Sequence, residues 1–142
     1  MHRLRTLFVK YCVIRGRSDK LRQLLKQNRI NDAIAYSLLS DAVKENRPEL
    51  VSVLLESGLE VNVTNQAGMS LLMVACLISG PRIVKELLKA GAKPNALDPE
   101  YRNALDHAAG RLWGSDSEIT EIVRMLLDAG AVPGKRALEI AI

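Results

Sequence analysis

The apolar residues of this chain recur in a helical rhythm that is sounded three times. Leu50-Val51-Leu54-Leu55, Ile83-Val84-Leu87-Leu88 and Ile122-Val123-Leu126-Leu127 each occupy positions i, i+1, i+4 and i+5, which lays one apolar stripe along a helix. The punctuation agrees with the stripes. Pro48 and Pro81 fall in a first turn, where no amide donor is needed, and Gly58, Gly91 and Gly130 stand just beyond each stripe, where a left-handed residue ends a helix. Shorter apolar segments around Leu39, Leu72 and Leu105 precede the stripes. They predict first helices of about eight to ten residues, too short to persist alone in water.

The spacing between copies is as informative as the pattern within them. Ala42 and Ala75, Leu39 and Leu72, Leu54-Leu55 and Leu87-Leu88, Gly58 and Gly91, and Asn62 and Asn95 all share one fixed offset of thirty-three positions. A period of this length marks a solenoid in which helix-turn-helix units stack and bury a shared core. In the third copy Leu105, Ala108 and Ala109 keep the offset, whereas Leu126-Leu127 and Gly130 arrive six positions late. The delay places a six-residue insertion around Arg111 to Ser117, in the loop between two helices. A degenerate copy comes first: Leu4, Leu7, Phe8 and Tyr11, then Gly16, then Leu21, Leu24 and Leu25. At the far end Gly134 to Ile142 begins another first helix, with Leu138 one full period after Leu105.

Within these copies Gly68-Met69-Ser70-Leu71-Leu72-Met73-Val74-Ala75 resembles the signature T-P-L-H-x-A, and Asn103-Ala104-Leu105-Asp106-His107-Ala108-Ala109 is a weaker version. Ile83-Val84-x-x-Leu87-Leu88-x-x-Gly91-Ala92-x-x-Asn95-x-x-Asp98 carries every landmark of the second half of an ankyrin repeat. The chain therefore resembles the ankyrin repeat family over nearly its whole length. The resemblance implies an all-α solenoid of stacked helix-turn-helix units with short hairpin fingers, one domain over residues 1–142. Its repeats are expected at about 4–31, 35–66, 67–99 and 100–133, with a partial copy at 134–142. The sequence departs from the family pattern at three kinds of position. Ser40, Met73 and Asp106 replace the signature histidine, leaving its bonds between repeats open. Tyr101 stands where a turn glycine is expected. Asn46 and Ser79 replace the glycine that ends the first helix; Asn46 can adopt the left-handed cap, and Gly80 is expected to serve one residue later.

Composition narrows the function classes. The 142 residues are 48% apolar and 25% charged, with one Trp, three Tyr and one Phe, which suits helices packed through aliphatic side chains. No apolar run approaches the roughly 18 residues of a membrane span. The start, Met1-His2-Arg3-Leu4-Arg5, is basic ahead of Leu7-Phe8-Val9, but Lys10 interrupts and no small-residue cleavage site follows. An Arg-rich targeting peptide stays open beside the helix-pair reading. Cys12 and Cys76 sit in the alanine region of first helices, as reduced packing thiols would, and point to an intracellular, cytoplasmic setting. With His2 and His107 the only histidines, a metal site is not expected. No phosphate loop, nucleophile elbow or H-E-x-x-H occurs. Asp106 and His107 are adjacent, hence about 100° apart on a helix, and do not face each other. Neither catalysis nor a cofactor is expected.

Binding residues follow from the resemblance, which implies a concave face built from first helices and fingers. The candidates on it are Met69, Met73, Val74, Leu77, Tyr101, Arg102, His107 and Arg111, and the insertion adds Trp113 as a separate candidate. Met69, Met73, Val74 and Leu77 make the central copy apolar and adaptable; for Met73 and Leu77 packing against the adjacent first helices is the competing reading. His107 reads as an inner-face contact or a solvated histidine. Trp113 is either a partner anchor or a cover for its own repeat, with Ser115 and Glu118 forming a capping box.

Charge supplies a competing function. Residues 1–29 hold nine Lys or Arg and one acidic residue, leaving 11 basic and 15 acidic residues elsewhere. The patch could meet phosphates or an acidic protein, or simply keep a terminal repeat soluble. Together these features predict a protein-interaction scaffold recognising an unidentified protein partner, with no small-molecule substrate. Two alternatives stand beside it: a regulatory or targeting region of a larger enzyme or effector, and a nucleic-acid adaptor using the basic first repeat. The apolar terminus Ile140-Ala141-Ile142 offers a further contact through the C-terminal half-repeat.

Overall fold

The computed structural model describes residues 15, 17–27, 32–112 and 114–134. Trp113, Cys12, the first helix expected of the first copy and the partial copy beyond Gly134 lie outside the described residues, as does most of the basic start. Seven helices occur among the described residues: α1 (Ser18–Gln27), α2 (Asp32–Lys44), α3 (Pro48–Glu56), α4 (Leu71–Ile78), α5 (Pro81–Lys89), α6 (Ala104–Ala109) and α7 (Asp116–Asp128). They build an all-α solenoid. First helices α2, α4 and α6 stand side by side in one row and second helices α1, α3, α5 and α7 in another, each first helix packing on its own second helix. Extended pairing among the described residues is limited to a single bridge between Thr64 and Ser70 at the base of a finger.

The alanines and leucines of the repeat account for this stacking. Ala42, Ala75 and Ala108 are buried and let neighbouring first helices approach, while Leu39, Leu72 and Leu105 fill the space between rows. The leucine pairs of the second helices split into inner and outer members. Leu54, Leu87 and Leu126 are fully buried, Leu55 and Leu88 are half-buried, and Leu127 on the last described helix is 47% exposed.

Helix ends follow the local chemistry. Pro48 and Pro81 sit in the first turns of α3 and α5, and Ser115 with Glu118 makes the capping box that opens α7. Asn46 closes α2 in the left-handed region, φ +50°. Gly80 does not repeat this role. It is extended at φ −84°, and Ser79 ends α4 with its backbone extended and its hydroxyl donating to the Val43 carbonyl of the preceding repeat at 2.9 Å.

First-helix length departs from expectation. α4 has 8 residues and α6 has 6, but α2 has 13. Asp32-Ala33-Ile34-Ala35-Tyr36 lacks the turn residues that Asn65-Gln66-Ala67-Gly68 and Asp98-Pro99-Glu100-Tyr101 supply, so α2 runs on through the place of a finger. Tyr36, on that extension, hydrogen-bonds with Asn65 and Ser40, and its partial burial pushes the phenol up.

Where the signature histidine is missing, other groups join the repeats. Ser70 and Asn103 cap α4 and α6, and the reciprocal half of each box comes from the Met73 thioether at 3.4 Å and the Asp106 carboxylate at 3.1 Å. Asn62 and Asn95 each grip the next repeat with both ends of the amide. Asn62 donates to Gly91 and accepts from the Lys93 amide; Asn95 donates to Gly130 and accepts from the Val132 amide, all within 2.8 to 3.1 Å. Asn103 adds a bond to the Val132 carbonyl at 2.8 Å.

The split of the leucine pairs is directly testable. Leu87→Ala should cost about 2 to 5 kcal/mol by leaving a cavity between repeats. Leu127→Ala, on the open side, should cost less than about 1 kcal/mol. Denaturant midpoints at constant slope would measure both, and equal losses would contradict the inner and outer assignment.

Candidate functional site

Among the described residues two fingers project from the stack, one joining α3 to α4 and the other joining α5 to α6, and each is closed by its own backbone. In the first, the Asn65 amide donates to the Met69 carbonyl at 3.0 Å and the Gly68 amide to the Asn65 carbonyl at 2.9 Å. The second repeats both bonds, from Asp98 to Arg102 and from Tyr101 to Asp98, at 2.9 Å each. The residue at the tip is left-handed in both, Gly68 at φ +74° and Tyr101 at φ +59°. Only glycine adopts this conformation without cost. At position 68 glycine is needed twice over, because a Cβ there would lie 2.7 Å from the Pro99 ring of the next finger.

Tyr101 instead projects into solvent, 80% exposed, with Leu97 exposed on the same finger. Beneath it lies a polar cluster that organises the loop. Asp98 is buried, and its Oδ1 accepts from the backbone amides of Glu100 and Arg102 at 2.9 Å. Its Oδ2 accepts from Arg102 Nε at 2.9 Å and contacts His107 Nε2 at 3.0 Å. Arg102 also pairs with Glu100 at 3.2 Å. Burial by itself would raise the Asp98 carboxyl. The Arg102 amide, the His107 ring, the Arg102 guanidinium and the Glu100 amide together outweigh it and hold Asp98 below the ordinary carboxylate range. An ionised carboxylate only accepts, so Nε2 of His107 carries the proton in this contact.

Three candidates are taken up by partners within the stack. His107 is 6% exposed and faces Asp98, so it is neither a surface contact nor a solvated histidine. Met73 is 1% exposed; its sulfur closes the cap of α4 and the side chain packs in the core. Arg111, half-buried, reaches back across the repeat boundary to the carbonyls of Ser79 and, at 3.4 Å, Cys76, where a cation complements the carboxyl end of α4. Register alone puts each of them on the inner face, and in each case a polar or apolar partner next door turns the side chain inward.

The other candidates among the described residues remain accessible. Val74 and Leu77 are half-buried on α4, and Ile78 beside them is exposed, completing an i, i+3, i+4 face. Ile78 is legible from that spacing, although register as read from the sequence leaves it out. Met69 is half-buried in the first finger. Arg102 is half-buried and committed to Asp98 and Glu100.

Burial pushes the Cys76 thiol up to about 12, with Arg111 opposing only in part, so it stays protonated near neutrality. Among the described residues no group of three or more His, Cys, Asp or Glu is placed to hold a metal ion, and no helix is long and apolar enough to cross a membrane.

Residues 39–137 match the family model for ankyrin repeats, in three copies. The chain is similar to the E3 ubiquitin-protein ligase Ufd4 of Drosophila melanogaster, 32% identical over 117 residues, which is 80% of this chain and 4% of the ligase. A putative ankyrin repeat-containing protein of Treponema pallidum is 32% identical over 73% of this chain and 33% of its own length. The human ankyrin repeat and SOCS box protein 6 is 33% identical over 68% of this chain and 23% of its own length. The chain thus spans a third or less of each of these relatives.

Asp98 gives the site a pH signature. Its carboxyl titrates lower in the folded chain than in the unfolded one. Its contribution is therefore full above the ordinary carboxylate range, near pH 4, and is lost as pH falls through the lowered folded value. Asp98→Asn should cost about 1 to 3 kcal/mol at pH 7 and flatten the acid limb of the stability curve. Urea melts from pH 7 to pH 2.5 would measure this, and an unchanged acid limb would contradict it.

Proposed function

Because this chain belongs to the ankyrin repeat family, whose repeats are protein–protein interaction modules, we propose that it is a non-catalytic adaptor for a protein partner. The partner is held at the finger tips and the α4 face. The observation that carries this reading is Tyr101. A bulky residue in the left-handed region costs about 1 to 2 kcal/mol, and here it is exposed at φ +59° over a buried, multiply bonded carboxylate. Tyrosine is enriched where proteins meet, because it offers a large rigid surface at small entropic cost. Leu97, Met69, Val74, Leu77 and Ile78 supply accessible apolar surface on the same two structural elements, fingers and first helix.

A second reading concerns what the repeats serve. The stretch shared with the Drosophila E3 ubiquitin-protein ligase is 4% of that protein, so a comparable segment there is a small part of a much larger enzyme. On this reading the repeats select or position a partner for activity carried elsewhere in a longer polypeptide. On the same proposal the chain is one domain of four repeats and a partial fifth, in an intracellular setting that suits the free, buried thiol of Cys76.

The test separates binding from folding. The intact chain, a Leu97→Ser/Tyr101→Gly variant and an outer-face Leu127→Ser control would be compared in affinity capture with quantitative identification of bound proteins. Glycine removes the left-handed strain, so stability should stay within about 1 kcal/mol of the parent. Partners enriched by the parent and by the control should be lost with the finger variant. Retention of the same partners by the finger variant would overturn the reading.

A further inference from the structure

Asn65, Gly68 and Met69 of the first finger and Val74 of α4 correspond, one period later, to Asp98, Tyr101 and Arg102 of the second finger and His107 of α6. The backbone closure is the same in both, so the exchange concerns what holds the tip. In the first finger, Asn65 Oδ1 accepts from the Met69 amide, Tyr36 of α2 also hydrogen-bonds with Asn65, and the tip is an unstrained glycine. In the second, one carboxylate takes four bonds, and the one from His107 comes from α6 rather than from the finger.

We infer that His107 is a positioning residue for the Tyr101 tip: by holding Asp98 Oδ2 to α6, it fixes the carboxylate whose Oδ1 holds Glu100 and Arg102 on either side of Tyr101. The four exchanges act as one unit. The strained, exposed side chain at 101 stands over a buried carboxylate where the unstrained Gly68 stands over a neutral amide, and α6 supplies one of the four bonds that hold that carboxylate. Arg102 alone is a weaker anchor, because it belongs to the loop it would have to hold and divides itself between Asp98 and Glu100. His107 is nearly as buried as Asp98, so this contact is shielded from competing water. The inference rests on Tyr101 being the residue presented to a partner, but the geometry it concerns is measurable with no partner present.

The experiment uses the full chain and solution NMR. His107→Val installs the residue found at the equivalent position 74, and His107→Gln keeps a neutral N–H donor. Amide exchange of Glu100 and Arg102 and the backbone shifts and coupling of Tyr101 are the readouts. In His107→Val, protection of both amides should fall by about tenfold or more, the worth of a hydrogen bond to a charged group, and Tyr101 should leave the left-handed region. His107→Gln should retain most of both. Adding Tyr101→Gly to His107→Val should restore the finger, because an unstrained tip no longer needs the anchor; this double variant also shows that the valine chain folds. Unchanged protection and an unchanged Tyr101 conformation in His107→Val would overturn the inference, as would equal loss in the presence of Gly at 101. Either failure leaves partner capture by the finger as a separate question.

Discussion

Two helices of the first row, α4 and α6, are too short to hold themselves together, and the packing around them answers to that. α6 is a turn and a half long and α4 just over two, far below the length at which a helix persists in water. They exist because their neighbours bury them: Leu72, Ala75 and Cys76 on one, Leu105 and Ala108 on the other, are sealed between adjacent rows. Side-chain caps at Ser70 and Asn103 and the reach of Arg111 to the carbonyl end of α4 satisfy backbone groups that so short a helix cannot satisfy internally. Stability is therefore shared across boundaries, as expected of a stack whose units contact only their neighbours.

The scaffold can be read from the sequence because it is written in periodic positions. The stripes, the prolines that open second helices and the glycines that close them recur at fixed offsets, and the structure places them as expected. The insertion at Arg111 to Ser117 is legible for the same reason, since a break in a period locates itself. The length of α2 is the exception. Its extension depends on the absence of turn residues between Asp32 and Tyr36, and an absence is easily passed over when a repeat is assumed.

The surface is less legible, because register assigns a side chain to a face and not to a partner. Of the residues that register assigns to the inner face, Val74 and Leu77 are half-buried and Tyr101 is exposed. His107, Met73 and Arg111 share that assignment, yet each is claimed by something invisible to periodicity: a carboxylate in the preceding finger, a cap, the end of the previous helix. Asp98 illustrates the point most clearly. In the sequence it is a landmark known only by its spacing, but in the fold its carboxylate is where loop backbone, arginine and histidine are joined.

The paired grip of Asn62 and Asn95 has a consequence for how such chains tolerate change. Asn62 reaches Gly91 and Lys93, and Asn95 reaches Gly130 and Val132, although the second span is six residues longer in sequence. The amide thus indexes one repeat to the next by position in space, at the glycine that ends a second helix, and is blind to how much chain intervenes. Loops between the two helices of a repeat fall inside that span, where their length can drift without disturbing the pitch of the stack. Residues between the asparagine and the end of its own second helix have no such freedom. The inter-helix loops are accordingly the natural ports at which this scaffold could accept foreign sequence, and Arg111 to Ser117 shows one already in use.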